Sequence, residues 1–309
     1  MTRKIGIIGD GNVGAAVAHH IVVSGIADDL VMIDHNDAKV NSDALDFRDA
    51  MSNLKFHTNI EVNNYASLAD ADVIISSVGH MELINANKDK HDRFAELTAN
   101  VEEVKDVAKH IKESGFHGII IVITNPNDVI TYLYQCETGF AKERVIGTGT
   151  LLDSARMKRA VAAKLNIDPR SVIGYNLGEH GNSQFTAWST VQVFDKSIFE
   201  YAEKYNIDLD EIDNDARMGG FTVHSGKGYT NFAISASAVK LAEIVLQDAK
   251  TELAVSNYRE EYGTYLSYPA IIGRNGIEKQ IDLDLPEKEQ KQLQASANYI
   301  NQKTREITD

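Results

Sequence analysis

Short apolar runs alternate with amphipathic stretches along the first half of the chain. The runs at residues 5–8, 30–33, 73–78 and 119–123 have the length and composition of strands buried on both faces. Between them, apolar residues spaced three and four positions apart predict helices, the longest over residues 94–113. Strands that alternate with helices predict a parallel, doubly wound sheet of the α/β class, whose ligands bind at the carboxyl ends of the strands.

The second half of the chain mixes the two patterns. The change after Val145 predicts two domains, over residues 1–145 and 146–309, the second of the α+β class. The predicted helices of the second domain lie at residues 153–165, 207–218 and 229–249 and near the C-terminus. Its predicted strands lie at residues 172–175, 185–193, 253–255, 264–272 and 276–281.

A glycine-rich turn, GDGNVG over residues 9–14, joins the first strand to the first helix. In the G-x-G-x-x-G pattern the first glycine permits a tight turn, the second lets the backbone approach a pyrophosphate, and the third packs helix against strand. A glycine-rich turn in another α/β protein is the alternative, but the strand-to-helix context favours a dinucleotide. The predicted cofactor contacts in this turn are Gly9, Gly11, Asn12, Val13 and Gly14.

Asp34 ends the second strand, 20 residues after Gly14. A carboxylate there accepts hydrogen bonds from a ribose diol and repels a 2′-phosphate, which favours NAD over NADP. Gly79 and Asn125 follow two other strands at the same edge of the sheet and are predicted to line the cofactor site. Asp10 is unusual in this setting, because it puts a carboxylate beside the expected phosphates, where it either points to solvent or weakens cofactor binding.

Composition narrows the range of partners. With 309 residues, 43% of them hydrophobic and 25% charged, the chain can bury a sizeable core. A net charge of −14 argues against a nucleic acid or an anionic membrane as partner. A single cysteine, Cys136, excludes an internal disulfide. The strand pattern begins at Lys4 and no apolar run has membrane-spanning length, so we expect no signal peptide and a cytoplasmic location.

The candidate chemistry centres on His180, which lies in the loop GEHGNS over residues 178–183. Asp153 and Arg156 are three residues apart on a predicted helix and therefore share one face. A carboxylate beside a histidine fixes its tautomer and stabilises the imidazolium, and an arginine binds a substrate carboxylate bidentately. Arg93, after a long polar stretch, could stabilise charge on a ketone oxygen. Each residue alone also has a structural explanation, but their presence together with a dinucleotide fold favours catalysis.

The whole chain resembles the L-lactate and malate dehydrogenase family, and within it most closely the L-2-hydroxyisocaproate dehydrogenases. The motifs that carry the resemblance are residues 9–14 (GDGNVG), 124–126 (TNP), 147–150 (GTGT), 152–156 (LDSAR), 178–183 (GEHGNS) and 227–230 (KGYT). The resemblance implies an NAD-dependent oxidoreductase without a metal, with a Rossmann-type NAD-binding domain followed by a substrate domain. It also implies a homotetramer or a homodimer.

The resemblance assigns a role to each candidate side chain. His180 would exchange a proton with the ketone oxygen of a 2-oxo acid while hydride passes to or from NAD, and Asp153 would hold His180. Arg156 would bind the substrate carboxylate, and Arg93, carried on a lid, would polarise the carbonyl. Of the remaining site residues, Asn125 would line the nicotinamide and substrate site. Thr230 would lie close to the substrate side chain.

Two departures from lactate dehydrogenases favour a larger substrate than pyruvate. The lid over residues 80–92 is longer than theirs, and it contains no arginine, which counts against a dicarboxylate such as oxaloacetate; Lys88 and Lys90 are read as solvated lid lysines. Gly219-Gly220 falls where relatives often carry a bulkier residue, and would leave room for a branched or aromatic tail unless the pair simply ends a helix. We expect a medium-chain 2-oxo acid such as 2-oxoisocaproate, with pyruvate, hence an L-lactate dehydrogenase, as the alternative.

Two other classes share the dinucleotide fold. NAD-dependent glycosidases resemble the family but hold a metal through a cysteine near residues 147–150, where this chain has none. A non-catalytic NAD sensor would keep the glycine-rich turn but would not need His180 together with Asp153 and Arg156.

Overall fold

A computed structural model of the chain describes residues 2–79 and 97–308. The strands are β1 (Lys4–Ile8), β2 (Asp29–Ile33), β3 (Asn59–Val62), β4 (Val73–Ser76), β5 (Ile119–Val122), β6 (Val145–Gly147), β7 (Val172–Ile173), β8 (Asn176–Leu177), β9 (Phe185–Thr186), β10 (Gln192–Val193), β11 (Lys196–Ser197), β12 (Thr251–Arg259), β13 (Thr264–Gly273) and β14 (Gly276–Gln280). The helices are α1 (Asn12–Ser24), α2 (Asp37–Ala50), α3 (Leu97–Ser114), α4 (Asn127–Thr138), α5 (Leu151–Leu165), α6 (Ile198–Tyr205), α7 (Leu209–Lys227), α8 (Phe232–Gln247) and α9 (Glu287–Thr308).

The central sheet has the order β14-β13-β12-β6-β5-β4-β1-β2-β3. Strands β1 to β6 pair in parallel, whereas β12 to β14 extend the sheet as antiparallel strands. The predicted doubly wound parallel sheet is confirmed, and the order reverses next to β1, between β1 and β4. The carboxyl ends of β1, β4, β5 and β6 therefore meet at one edge, where a ligand site is expected.

Two apolar layers cover the two faces of this sheet. Because successive side chains of a strand point to opposite faces, Ile119 and Ile121 pack in one layer while Ile120 packs in the other. The first layer includes α1 and α8, and the second includes α3, α4 and α9. A smaller apolar cluster joins α5 to α6, α7, β7 and β10. Helix α5 thus links the sheet to the second half of the chain.

Two elements of the second half differ from the sequence-based expectation. The strand predicted over residues 185–193 is wrong: β9 ends at Thr186 and a 3-10 turn, Trp188–Thr190, precedes β10. Helix α7 does not end at Gly219-Gly220 but runs to Lys227, and Gly228 closes it with a φ of 82°. Glycine weakens a helix interior by about 1 kcal/mol but does not stop it when caps and packing support the ends. Within the described ranges, no helix is long and apolar enough to cross a membrane.

Candidate active site

The glycine-rich turn has the shape that a dinucleotide requires. Gly9 has a φ of 92°, which favours glycine, and its N–H donates to the carbonyl of Ile33 at 2.8 Å. A Cβ on Gly14 would lie 1.8 Å from the carbonyl oxygen of Gly9, so only glycine lets α1 pack this closely on the turn. A Cβ on Gly11 would meet no described atom within 4 Å. Gly11 therefore borders open space at the start of α1, where a pyrophosphate would fit.

The acid after β2 is held in a fixed position. The carboxylate of Asp34 accepts the N–H of Asp10 at 2.5 Å and the N–H of Asn36 at 2.8 Å. This side chain is 9% exposed. Gly79 is exposed three residues after β4, at the same edge of the sheet. With Asn12 and Val13 at the first turn of α1, these residues could hold NAD.

The side chain of Asp10 does not point to solvent, so that alternative from the sequence is wrong. The residue is 0% exposed. Its Oδ2 lies 3.2 Å from Nζ of Lys39 on α2. Asp10 therefore turns away from the open side of the turn and into the space between α2 and the turn.

His180, Asp153 and Arg156 form one hydrogen-bonded group. Nδ1 of His180 lies 2.6 Å from Oδ2 of Asp153, and Nη1 of Arg156 donates to Oδ1 of the same carboxylate at 2.8 Å. The Asp153 side chain is 4% exposed, that of His180 12% and that of Arg156 16%. With a protonated histidine the three side chains carry a net charge of +1, which suits an anionic substrate. Such a charge is effective because burial limits screening by water and salt.

Helix α7 approaches this group from the side of the arginine. A Cβ on Gly220 would lie 3.0 Å from Cζ of Arg156, so any side chain at this position would contact the guanidinium. A Cβ on Gly219 would instead lie 3.3 Å from Nη2 of Arg159. The bare backbone of Gly220 therefore lets α7 pack directly against the guanidinium of Arg156, on the wall of the site.

Of the three remaining predicted residues, the structure describes Asn125 and Thr230. The backbone carbonyl of Asn125 accepts a hydrogen bond from Nδ2 of Asn100 at 2.8 Å, and its buried Oδ1 has no hydrogen-bond partner among residues 2–79 and 97–308. An orphaned buried acceptor is costly, and a bound ligand can satisfy it. Thr230 is half-buried in the connection between α7 and α8. Arg93 lies outside the described residues, as do Lys88 and Lys90.

The comparisons with known proteins agree with this geometry. Residues 3–147 match the family described as lactate/malate dehydrogenase, NAD binding domain, and residues 150–309 match lactate/malate dehydrogenase, alpha/beta C-terminal domain. The chain belongs to the lactate/malate dehydrogenase family. L-lactate dehydrogenase 2 of Clostridium acetobutylicum is 37% identical, over 96% of this chain and 95% of its own length.

Solved structures of lactate dehydrogenases share the fold of this family member. The minor L-lactate dehydrogenase of Enterococcus mundtii in its ligand-bound form has 32% identity and a TM-score of 0.93, covering 99% of this chain and 98% of its own. The lactate dehydrogenase of Cryptosporidium parvum, crystallised with lactic acid and NAD, has 28% identity and a TM-score of 0.94, covering 100% and 99%. The predictions of NAD as cofactor and of an oxidoreductase acting on the CH–OH group of 2-hydroxy acids are confirmed. These findings favour a dehydrogenase over the NAD-dependent glycosidase and the NAD sensor.

Two residues that support the loop of this dehydrogenase were not found from the sequence. Oδ2 of Asp128, on α4, accepts the backbone N–H of His180 at 2.8 Å, and Oδ1 accepts the hydroxyl of Ser256 at 2.6 Å. Burial raises the pKa of Asp128 to about 6. From the other side, Oγ of Ser296 on α9 accepts the N–H of Glu179 at 2.7 Å. The only signal in the sequence is an acid two residues after Pro126, which a surface helix start would also explain.

Replacing Asp128 with alanine is expected to lower kcat by about tenfold, because the His180 backbone loses its acceptor and the ring loses its fixed distance to the substrate. Asp128→Asn keeps one acceptor oxygen, and the hydroxyl of Ser256 can turn to accept from the new amide. We therefore expect Asn to restore most of the activity, with the dissociation constant of NADH unchanged in both variants. Steady-state kinetics and NADH fluorescence titration measure these values. Equal losses in Ala and Asn variants would contradict a positioning role.

Proposed function

We propose that the chain is an L-2-hydroxy acid dehydrogenase that interconverts NADH plus a medium-chain 2-oxo acid, such as 2-oxoisocaproate, with NAD plus the L-2-hydroxy acid. The observation that supports this substrate class is the bare backbone of Gly220 against Arg156. A substrate whose carboxylate binds Arg156 would have its side chain close to this contact. A larger residue at this position would push the guanidinium toward the substrate, whereas glycine lets Arg156 stay back against α7 and leaves room for a branched tail.

Arg156 is the proposed carboxylate ligand. Its Nη1 is bound by Asp153, which fixes the plane of the guanidinium and leaves its other donors to be directed at a substrate. A planar fork of donors matches a carboxylate in two parallel hydrogen bonds. This contact would orient the 2-oxo acid so that its ketone carbon lies at a defined distance from His180.

His180 is the proposed proton donor for reduction and acceptor for oxidation. Since Nδ1 contacts Asp153, Nε2 is the nitrogen that would meet the ketone oxygen. NADH, when bound, supplies the hydride that the ketone carbon receives, and His180 supplies the proton for the oxygen. The negative charge of Asp153 stabilises the imidazolium before transfer and keeps its ring plane fixed during it. By resemblance, Arg93 would stabilise the charge that develops on the ketone oxygen.

An L-lactate dehydrogenase acting on pyruvate is the second candidate. It is favoured by the relatives of this chain, among which the Clostridium acetobutylicum and Enterococcus mundtii proteins both carry the name L-lactate dehydrogenase. Identities of 37% and 32% leave room for a changed side-chain pocket. Because the two candidates share every proposed catalytic residue, only the side-chain preference separates them.

We expect kcat/KM with NADH to be higher for 2-oxoisocaproate or phenylpyruvate than for pyruvate by about tenfold or more, since apolar side-chain burial in a pocket favours the larger substrate by about 1–3 kcal/mol. Assays with pyruvate, oxaloacetate, 2-oxoisocaproate and phenylpyruvate under one set of conditions measure this. A lead for pyruvate identifies a lactate dehydrogenase. A lead for oxaloacetate points to Lys88 or Lys90 as partner of the second carboxylate.

Gly220→Ala tests whether the close packing of α7 on Arg156 sets the size of this pocket. We expect the preference for 2-oxoisocaproate over pyruvate to shrink by about tenfold, because the methyl group, 3.0 Å from Cζ of Arg156, pushes the guanidinium into the space of the branched tail. Gly219→Ala is the matched control, since it makes the same change in the same helix but faces Arg159. An equal loss for both substrates in Gly220→Ala would mean that the glycine serves Arg156 and not the substrate tail.

The expected homotetramer or homodimer stays a prediction. Support comes from large apolar side chains exposed at the surface of α2, α7 and the start of α8. Those more than 40% exposed in these helices are Leu45, Met218, Phe221, Val223 and Phe232.

A further inference from the structure

The buried carboxylate of Asp10 is not explained by a contribution to the stability of the fold. The residue is 0% exposed, and its Oδ1 has no hydrogen-bond partner in the described parts of the chain. Burial raises the pKa of Asp10 to about 7, because the loss of hydration outweighs the attraction of Lys39. A buried, half-satisfied carboxylate destabilises a fold relative to a small apolar residue. The role of this charge therefore lies in its effect on neighbouring side chains.

Lys39 is the neighbour that Asp10 controls. It lies in the first turn of α2, just after Asp34, and its Nζ is 3.2 Å from Oδ2 of Asp10 and 2.6 Å from Oδ2 of Asp43. Its side chain is 38% exposed, so it can reach solvent. In proteins of this fold class, a cation near the acid of the second strand accommodates the 2′-phosphate of NADP. Lys39 has both the charge and the place in the chain for that contact.

Asp10 also contacts the ribose end of the proposed cofactor site. Its backbone N–H donates to Oδ2 of Asp34 at 2.5 Å while its side chain holds Lys39. One residue thus joins the proposed ribose ligand to the only lysine in the first turn of α2. The Asp10 carboxylate adds negative charge at this end and at the same time draws the cation away from it.

We propose that Asp10 is a specificity-determining residue for the cofactor: it holds Lys39 in an ion pair behind the glycine-rich turn and so keeps the enzyme selective for NAD over NADP. The proposal rests on the proposed contact of Asp34 with the ribose. Without Asp10, Lys39 would retain only the half-buried carboxylate of Asp43 among its ion-pair partners in the described residues and could turn toward a 2′-phosphate. A purely structural ion pair is the competing explanation, and it predicts lower stability rather than altered selectivity when Asp10 is replaced.

Binding of the two reduced cofactors in the absence of substrate tests the proposal directly. We would titrate the purified full-length chain and its variants with NADH and with NADPH, follow the fluorescence change, and record thermal unfolding of each protein. For Asp10→Ala we expect the preference for NADH over NADPH, taken as the ratio of dissociation constants, to fall by about tenfold, the size of one charge interaction near a protein surface. The double variant Asp10→Ala/Lys39→Ala should return to the preference of the unmodified chain.

Asp43→Asn is the matched control. It removes one negative charge from the other partner of Lys39, but leaves the ion pair with Asp10, so we expect its preference to stay within about threefold of the unmodified chain. Asp10→Asn keeps the size of the side chain, so it replaces the alanine variant in this experiment if the alanine variant does not fold. It should lower the preference in the same direction without lowering the unfolding temperature, because it removes a destabilising buried charge.

The outcomes distinguish a failure of this proposal from a failure of the proposed cofactor site. A preference unchanged in Asp10→Ala and Asp10→Asn overturns the role of Asp10, and so does a shift that survives in the double variant without Lys39. Asp34→Asn should weaken NADH binding; if it does not, the ribose is not at Asp34 and the placement of the cofactor fails instead. A loss of stability in Asp10→Asn with unchanged selectivity would leave the structural ion pair as the explanation.

Discussion

Replacing His180 with alanine is expected to lower kcat for 2-oxo acid reduction by roughly 10²–10⁴-fold, the range that a positioned general acid contributes. The reason is that Asp153 holds the imidazole through Nδ1 at 2.6 Å, and no other described side chain bonded to Asp153 can release a proton, since Arg156 stays charged. NADH binding should be unaffected, because the proposed cofactor contacts are made by the glycine-rich turn and Asp34 and not by His180. Turnover is measured with saturating NADH, and binding by fluorescence titration.

A second histidine provides the control for this experiment. His57 is exposed, and its ring lies 3.2 Å from Oδ1 of Asn59, at the far edge of the sheet beside β3. We expect His57→Ala to keep kcat within about twofold of the unmodified chain, as is usual for surface substitutions. If His180→Ala retained more than about a tenth of the activity, the proton would have to come from elsewhere, and the proposed role of His180 would be wrong.

The sequence was informative where short-range geometry decides the structure. Strand and helix patterns predicted the parallel sheet, and the three-residue spacing of Asp153 and Arg156 predicted that both side chains share a face. The structure has both on α5, joined by a 2.8 Å hydrogen bond. The loop of His180 was found as a motif, but its approach to Asp153 across 27 residues came from the family resemblance rather than from periodicity.

Contacts between distant segments were the part that the sequence did not yield. Asp128 reaches His180 across 52 residues, and Ser296 reaches Glu179 across 117 residues. Neither contact leaves a specific local signal, because an acid at a helix start and a serine in an amphipathic helix are common for other reasons. The direction of the Asp10 side chain was open for the same reason: whether it faces solvent or α2 depends on tertiary packing.

The two ends of the site share one arrangement, a buried acid paired with a cation. At the substrate end, Asp153 holds a cation, Arg156, in the position where an anionic group should bind. At the cofactor end, Asp10 is proposed to hold a cation, Lys39, away from the position where an additional anionic group would bind. The same ion pair between a buried acid and a cation can serve recognition or rejection, and the difference lies in which donors remain directed at the ligand.

Replacing Arg156 with lysine is expected to lower kcat/KM by about 10²–10³-fold, as removal of one member of a buried, hydrogen-bonded charge pair costs about 2–5 kcal/mol. A lysine has one charged nitrogen and cannot contact Asp153 and both oxygens of a substrate carboxylate in one plane. The loss should be similar for pyruvate and 2-oxoisocaproate, because both carry the carboxylate. Steady-state kinetics with the two substrates measure it, and we expect KM to rise more than kcat falls.

Arg159→Lys is the matched control, on the same helix and three residues further on. Arg159 donates to Oδ2 of Asp215 at 3.0 Å, and both side chains of this pair are about half exposed. An exposed ion pair contributes about 0–1 kcal/mol, so kcat/KM should stay within about threefold of the unmodified chain. If the two variants lost activity equally, the effect would belong to α5 as a whole, and Arg156 would not be the ligand of the carboxylate. If only one substrate were affected in Arg156→Lys, the arginine would recognise the side chain instead.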